Sequence, residues 1–132
     1  MWTSDIESMV FTRVKAKGNN ALKSKYPNIY FTTNDRVQTE PKFPTIYLHE
    51  VGSVEQGMDL ENTEINAVLN TIQVDVTDNE SQGRVKEVIN NIVKTMKSMG
   101  YTVISLPEFQ NTNNVYRQTA RFRRMIGKGD LL

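Results

Sequence analysis

The 132-residue sequence predicts an α+β domain, a mostly antiparallel sheet with two helices packed on one side, in the order α-β-β-β-α-β-β. Three observations predict it. Two stretches carry apolar residues at helical spacing, one near the N-terminus and a stronger one from Val85 to Met99. Two long segments, Ile65 to Val76 and Val115 to Ile126, alternate apolar and polar residues as half-buried strands do. The length suits a single domain spanning 1–132, which buries roughly 65–70% of its unfolded surface. A composition of 38% hydrophobic and 23% charged residues supplies a core that a disordered chain lacks.

Each element follows from its residues. Ser4-Asp5-Ile6-Glu7 reads as a capping box, and Ile6, Met9, Val10, Val14, Ala21 and Leu22 make one face of the helix after it. Gly18-Asn19-Asn20 weakens its last turns, and Tyr26-Pro27 stops it, because a residue before proline leaves the α region. The β-branched and aromatic run Asn28 to Thr33 predicts a short strand, and Asn34 to Thr39 a loop. Glu40-Pro41-Lys42-Phe43-Pro44 is a stiff extended lead-in to the strand Thr45 to Val51. Gly52 to Asn62 is polar and reads as a long hairpin connection before the strand that ends near Val76. Asp78-Asn79-Glu80-Ser81 supplies caps for the second helix, which Gly100 closes. Tyr101 to Leu106 is a strand, Pro107 to Asn114 a loop, and Val115 to Ile126 the closing strand. On that strand Tyr116, Ala120, Phe122 and Ile126 share one face, and Arg117, Thr119, Arg121 and Arg123 the other.

Composition removes several chemistries. With no cysteine there is no disulfide, thiolate nucleophile or sulfur-ligated metal. The single histidine, His49, cannot build a multi-histidine site, and its neighbour Glu50 points to the opposite side of a strand. The acids from Glu50 to Glu64 lack the every-second-residue pattern of a calcium loop. No metal or cofactor is expected, and no enzyme. No apolar run approaches the ~20 residues of a membrane span, and Met1 to Asp5 lacks the blocks of a signal peptide, which predicts synthesis and function beginning in the cytosol.

The net charge of +1 hides a segregation. Residues 1–42 carry seven basic and four acidic side chains, residues 43–83 none and eight, and residues 84–132 nine and three. Five of those nine, Arg117, Arg121, Arg123, Arg124 and Lys128, follow Val115. Such opposed surfaces imply pairing across the sheet or contact between subunits. The arginine row admits three readings: a subunit or partner contact, pairing within the sheet to residues such as Asp75, or a track for a phosphate backbone. Tyr116 and Phe122 alternate away from the arginines, the wrong arrangement for a base-stacking platform.

The order of these features resembles the tail terminator (tail completion, minor capsid) proteins of long-tailed bacteriophages and prophages. The resemblance runs through the N-terminal amphipathic helix, the Glu40-Pro41-Lys42-Phe43-Pro44 lead-in, the acidic hairpin, the long strand into an apolar helix, Met96-Lys97-Ser98-Met99-Gly100-Tyr101, the Asn-rich turn, and Tyr116-Arg117-Gln118-Thr119-Ala120-Arg121-Phe122. It covers nearly the whole chain. It implies a structural protein of the virion tail, assembled in the host cytoplasm, that forms a hexameric ring on the head-proximal end of the tail tube. Such a ring ends tube polymerisation and offers the surface to which the head-neck connector attaches. It implies no catalytic residues, no membrane, and nucleic acid only as passage through a channel. By position, Arg117, Arg121 and Arg123 are candidates for the lumen or a subunit contact, and Glu55, Asp59, Glu61 and Glu64 for contact with the tube or a neighbouring subunit. The alternatives are a neck component, such as a head-closure or adaptor protein, and a small α+β nucleic-acid-binding domain.

Overall fold

The computed structural model describes residues 2–33, 42–58, 65–105 and 115–127. Its elements are α1 (Ile6–Leu22), β1 (Tyr30–Thr32), β2 (Thr45–Met58), β3 (Ile65–Asp78), α2 (Gln82–Ser98), β4 (Thr102–Ser105) and β5 (Tyr116–Gly127). The α+β class and element order are those the sequence predicts. The five strands form one sheet in the order β1-β2-β3-β5-β4, antiparallel except for the parallel β1–β2 edge.

The start of α1 departs from expectation. A 3-10 turn, Trp2–Asp5, runs directly into the helix, and Asp5 at the N-cap keeps helical backbone angles without a side-chain cap bond. With carbonyls of that turn already preceding the helix, a capping box is not built. Glu7 instead reaches across to β2, where its Oε2 accepts the backbone N–H of Glu50 at 2.8 Å. The buried positions of α1 recur every four residues, at Ile6, Val10, Val14, Gly18 and Leu22. Met9, 48% exposed, and the exposed Ala21 fall outside this narrow ridge. Gly18 belongs to the ridge because of packing: a Cβ there would lie 2.3 Å from Phe31 Cζ. The helix approaches β1 too closely for any side chain at that position, and it continues through the glycine.

Strand β2 runs to Met58, seven residues beyond its expected end, so most of the expected hairpin loop is strand. The register explains why alternation conceals this. Glu50 pairs with Ile72 and Gly52 with Thr71, so Val51 is the extra residue of a β-bulge. Before the bulge the even-numbered residues Ile46 and Leu48 face the core; after it Ser53, opposite Asn70, has that side and Val54 the other.

The second helix is built as the sequence predicts. Ser81 Oγ accepts the Arg84 N–H at 3.3 Å, and Asp78 Oδ2 accepts the N–H groups of Glu80 and Ser81 at 3.0 and 3.2 Å. Gly100, at φ +85°, reverses the chain after the helix, with the Tyr101 N–H returning to the Met96 carbonyl at 3.0 Å. Val85, Val88, Ile92 and Met96 of α2 and Val10 and Val14 of α1 meet Ile46, Leu48, Ile72, Val74, Ala120 and Phe122 of the sheet. Both helices therefore cover one sheet face. Arg124 shares that side with Phe122 and Ile126, and its Nη1 donates to the Met99 carbonyl at 2.8 Å. It stands apart from the cationic row, packed against Gly100.

Candidate assembly surface

Among the described residues no helix covers the other face of the sheet, and its side chains follow directly from strand register. The rungs run Thr45–Thr77–Arg117, Tyr47–Asp75–Thr119, His49–Gln73–Arg121, Gly52–Thr71–Arg123 and Val54–Leu69–Met125. An antiparallel sheet tolerates one solvated face when that face is polar. Here the first four rungs are polar and the last is apolar, with Val54 61% and Met125 58% exposed.

The arginines differ from one another. Arg117 Nη2 stands 3.4 Å from Asp75 Oδ1, which also accepts the Thr119 hydroxyl, and Asp75 is nearly buried although it lies on the open face. The Gln73 amide bridges the row, donating to Asp75 at 3.4 Å while its oxygen accepts Arg121 Nε at 2.8 Å. Arg117 is thus tied to the sheet through its terminal Nη2 and Arg121 through Nε, and both remain exposed. Arg123 is exposed and forms no ion pair among the described residues. Strand register sets the three cations in a row, and Asp75 offsets the charge of Arg117 alone.

His49 is half-buried and its ring stacks on Tyr47, with centroids 4.6 Å apart. Glu50 turns to the helical side, as expected for neighbours on a strand. There it belongs to a polar cluster that sequence reading missed. Asn70, fully buried, accepts the Tyr101 hydroxyl at 2.7 Å and donates to Glu50 Oε1 at 3.1 Å and Ser53 Oγ at 2.8 Å. Burial pushes the Tyr101 phenol well above its ordinary value. The signal available was a polar Asn at an inward position of an otherwise apolar alternation, Val68 to Val76.

Of the acidic candidates, Glu55 lies on β2, opposite Val68, in place of the expected loop. Asp59, Glu61 and Glu64 lie outside the described residues. Among the described residues no group of three His, Cys, Asp or Glu side chains is placed to hold a metal, and no helix is long and apolar enough to cross a membrane.

A second concavity, about 690 Å³, opens where α2 starts, and its charges are matched internally. Arg84 lies 4.8 Å from the Tyr26 ring centroid and pairs with buried Asp78 and with Glu80. Glu87 accepts Lys25 Nζ at 2.8 Å and the Tyr26 hydroxyl at 2.9 Å. The hydrogen bond from Lys25, then that from Tyr26, holds the Glu87 carboxyl below its usual value, and the same contact raises Lys25. These contacts join the end of α1 to the first turns of α2.

No protein-family model and no curated protein matches the chain.

Proposed function

We propose that this chain is an assembly protein of a phage tail, a terminator that caps the head-proximal end of the tail tube as a ring and presents the head-neck attachment surface. The observation that carries the reading is the sheet face that no helix covers among the described residues, whose polar rungs end in the apolar rung Val54–Leu69–Met125 with Val54 and Met125 exposed. Exposed apolar side chains at the end of a solvated sheet are the kind of surface a protein contact covers. The hairpin of β2 and β3 adds a second contact, because it carries much of the acidic tract while the cations lie on other elements. Unlike surfaces that meet head to tail close into a ring when the rotation allows. The expected partners are further copies of the chain, the tube protein and the neck connector, and the work is contact without catalysis.

Negative-stain imaging of particles made without the protein tests the reading. Over-long tails are the expected result. Tails of normal length that fail to join heads would assign the chain to the neck, and intact infectious particles would reject both.

A further inference from the structure

Aromatic rings share the face of the arginine row, although the alternation of β5 alone puts none there. Tyr116 and Phe122 point away from the arginines, but the rungs Tyr47–Asp75–Thr119 and His49–Gln73–Arg121 bring two rings of β2 onto the arginine side. Tyr47 and His49 are half-buried, stacked on each other with planes 18° from parallel. They stand two strand spacings, about 10 Å, from β5. On β5, Arg121 and Arg123 are about 7 Å apart, and Arg117 lies roughly 13 Å from Arg121. All three arginines are exposed. Arg121 uses its Nε on Gln73, which leaves its terminal nitrogens, and Arg123 forms no ion pair among the described residues. Asp75 is the one acidic member of the five rungs, and it offsets Arg117 alone.

We propose that the polar rungs of this face bind single-stranded nucleic acid, with phosphates on Arg121 and Arg123 and a base against the Tyr47–His49 pair. A phosphate backbone is held by cations in file, and an unpaired base by an aromatic face within reach of the same nucleotide. The register supplies both on one open sheet. Gln73 fills the space between them, its amide group bonded to Asp75 and Arg121, so the path from ring to arginine is polar. Charge and shape disfavour other occupants. A second copy laid face to face would set arginine against arginine, and an acidic polypeptide would leave the rings without a use. A duplex keeps its bases stacked on each other, away from such rings. The proposal goes beyond the terminator reading and does not rest on it, since that reading uses the apolar rung Val54–Leu69–Met125 at one end of the face.

Fluorescence anisotropy of the full chain with labelled oligothymidylate and oligouridylate of about 20 nucleotides, and with a DNA duplex of equal length, tests it. Both single strands are expected to bind with a Kd on the order of 10 µM at about 50 mM salt, weakening about tenfold by about 200 mM, as two to three neutralised phosphates require. The duplex binds more weakly. Arg121→Gln with Arg123→Gln lowers the affinity and takes about 1.4 off the salt slope. Tyr47→Leu weakens binding about tenfold at an unchanged slope, because a ring neutralises no charge, and Tyr47→Phe keeps wild-type binding. Lys94→Gln with Lys97→Gln, the same charge change at exposed positions of α2, leaves the affinity within about twofold. Circular dichroism checks each fold, and His49→Ala takes the place of Tyr47→Leu where that variant does not fold. Failure of both single strands to bind at about 100 µM protein overturns the proposal. So does an α2 variant that weakens binding as much as the arginine variant, or a folded ring variant that binds like the wild type. Duplex binding as tight as single-strand binding overturns it in favour of a purely electrostatic contact. Self-association that the arginine variant abolishes, with no single-strand binding, overturns it in favour of a second copy.

Discussion

Replacing Asn70 by alanine removes the centre of a buried cluster, and the structure sets the size of the effect. The Tyr101 hydroxyl loses its acceptor at 2.7 Å, while Glu50 and Ser53 keep their bond to each other. A buried phenol left without a partner costs about 1–3 kcal/mol. The two lost donations to Glu50 and Ser53 add roughly 1 kcal/mol, since both acceptors retain another contact. The expected loss is thus about 2–4 kcal/mol, or about 10 °C in Tm for a chain of this size. Tyr101→Phe leaves the Asn70 carbonyl unmatched instead and costs about 1–3 kcal/mol. The double variant removes both halves of the bond, so its loss falls short of the sum by about 1–2 kcal/mol. Urea unfolding of the four proteins, followed by circular dichroism, gives the coupling energy directly. Additivity to within about 0.3 kcal/mol would refute the assignment of Asn70 and Tyr101 as an energetically linked pair. Alkali offers a second reading. Because the folded phenol is raised above its ordinary 10.0, its contribution is complete below that value and is lost as pH climbs toward the folded value. Tyr101→Phe flattens that alkaline limb.

Other outcomes follow from single contacts. Gly18→Ala gains helix propensity but drives a methyl into the Phe31 ring, so a net loss of about 1–2 kcal/mol is expected, shrinking in a Phe31→Ala background. Glu87→Gln removes a carboxyl whose folded value is lowered, a contribution present above its unfolded value and lost as pH falls through the folded one. The pair is exposed, so acid unfolding curves of wild type and variant diverge above about pH 5 by no more than about 1 kcal/mol. Val54→Lys and Met125→Glu replace exposed side chains, so stability stays within about 0.5 kcal/mol while any association through the open face weakens in sedimentation.

Much of this fold is written in periodicity. The stripe from Val85 to Met96, the cap at Ser81, the reversal at Gly100 and the two faces of β5 are all local patterns, and local patterns survive folding. Val51 shows where such reading fails. One inserted residue shifts the alternation of β2 by a half period, so the seven residues after it look like a polar loop although they pair along β3. Gly18 fails for another reason, since its use is a contact with Phe31, which lies on a different element, so no periodicity links the two. The arginine row was legible as a face. Its tie to Asp75 needed β3 and β5 to be neighbours, and the sequence left that pairing as one of three readings.

The bond between Glu7 and the Glu50 amide has a meaning for how this sheet meets strangers. Strand β1 pairs with β2 only along Thr45 to Tyr47, so beyond that point the outer rim of β2 has no strand neighbour among the described residues. Backbone groups on such a rim are a template for any passing chain. The Glu7 carboxylate occupies the Glu50 N–H where the bulge bends the strand, and so that step of the rim is closed to a foreign strand. Trimming α1 back past Glu7 would free that N–H beside the core residue Leu48 and lengthen the rim open to aggregation.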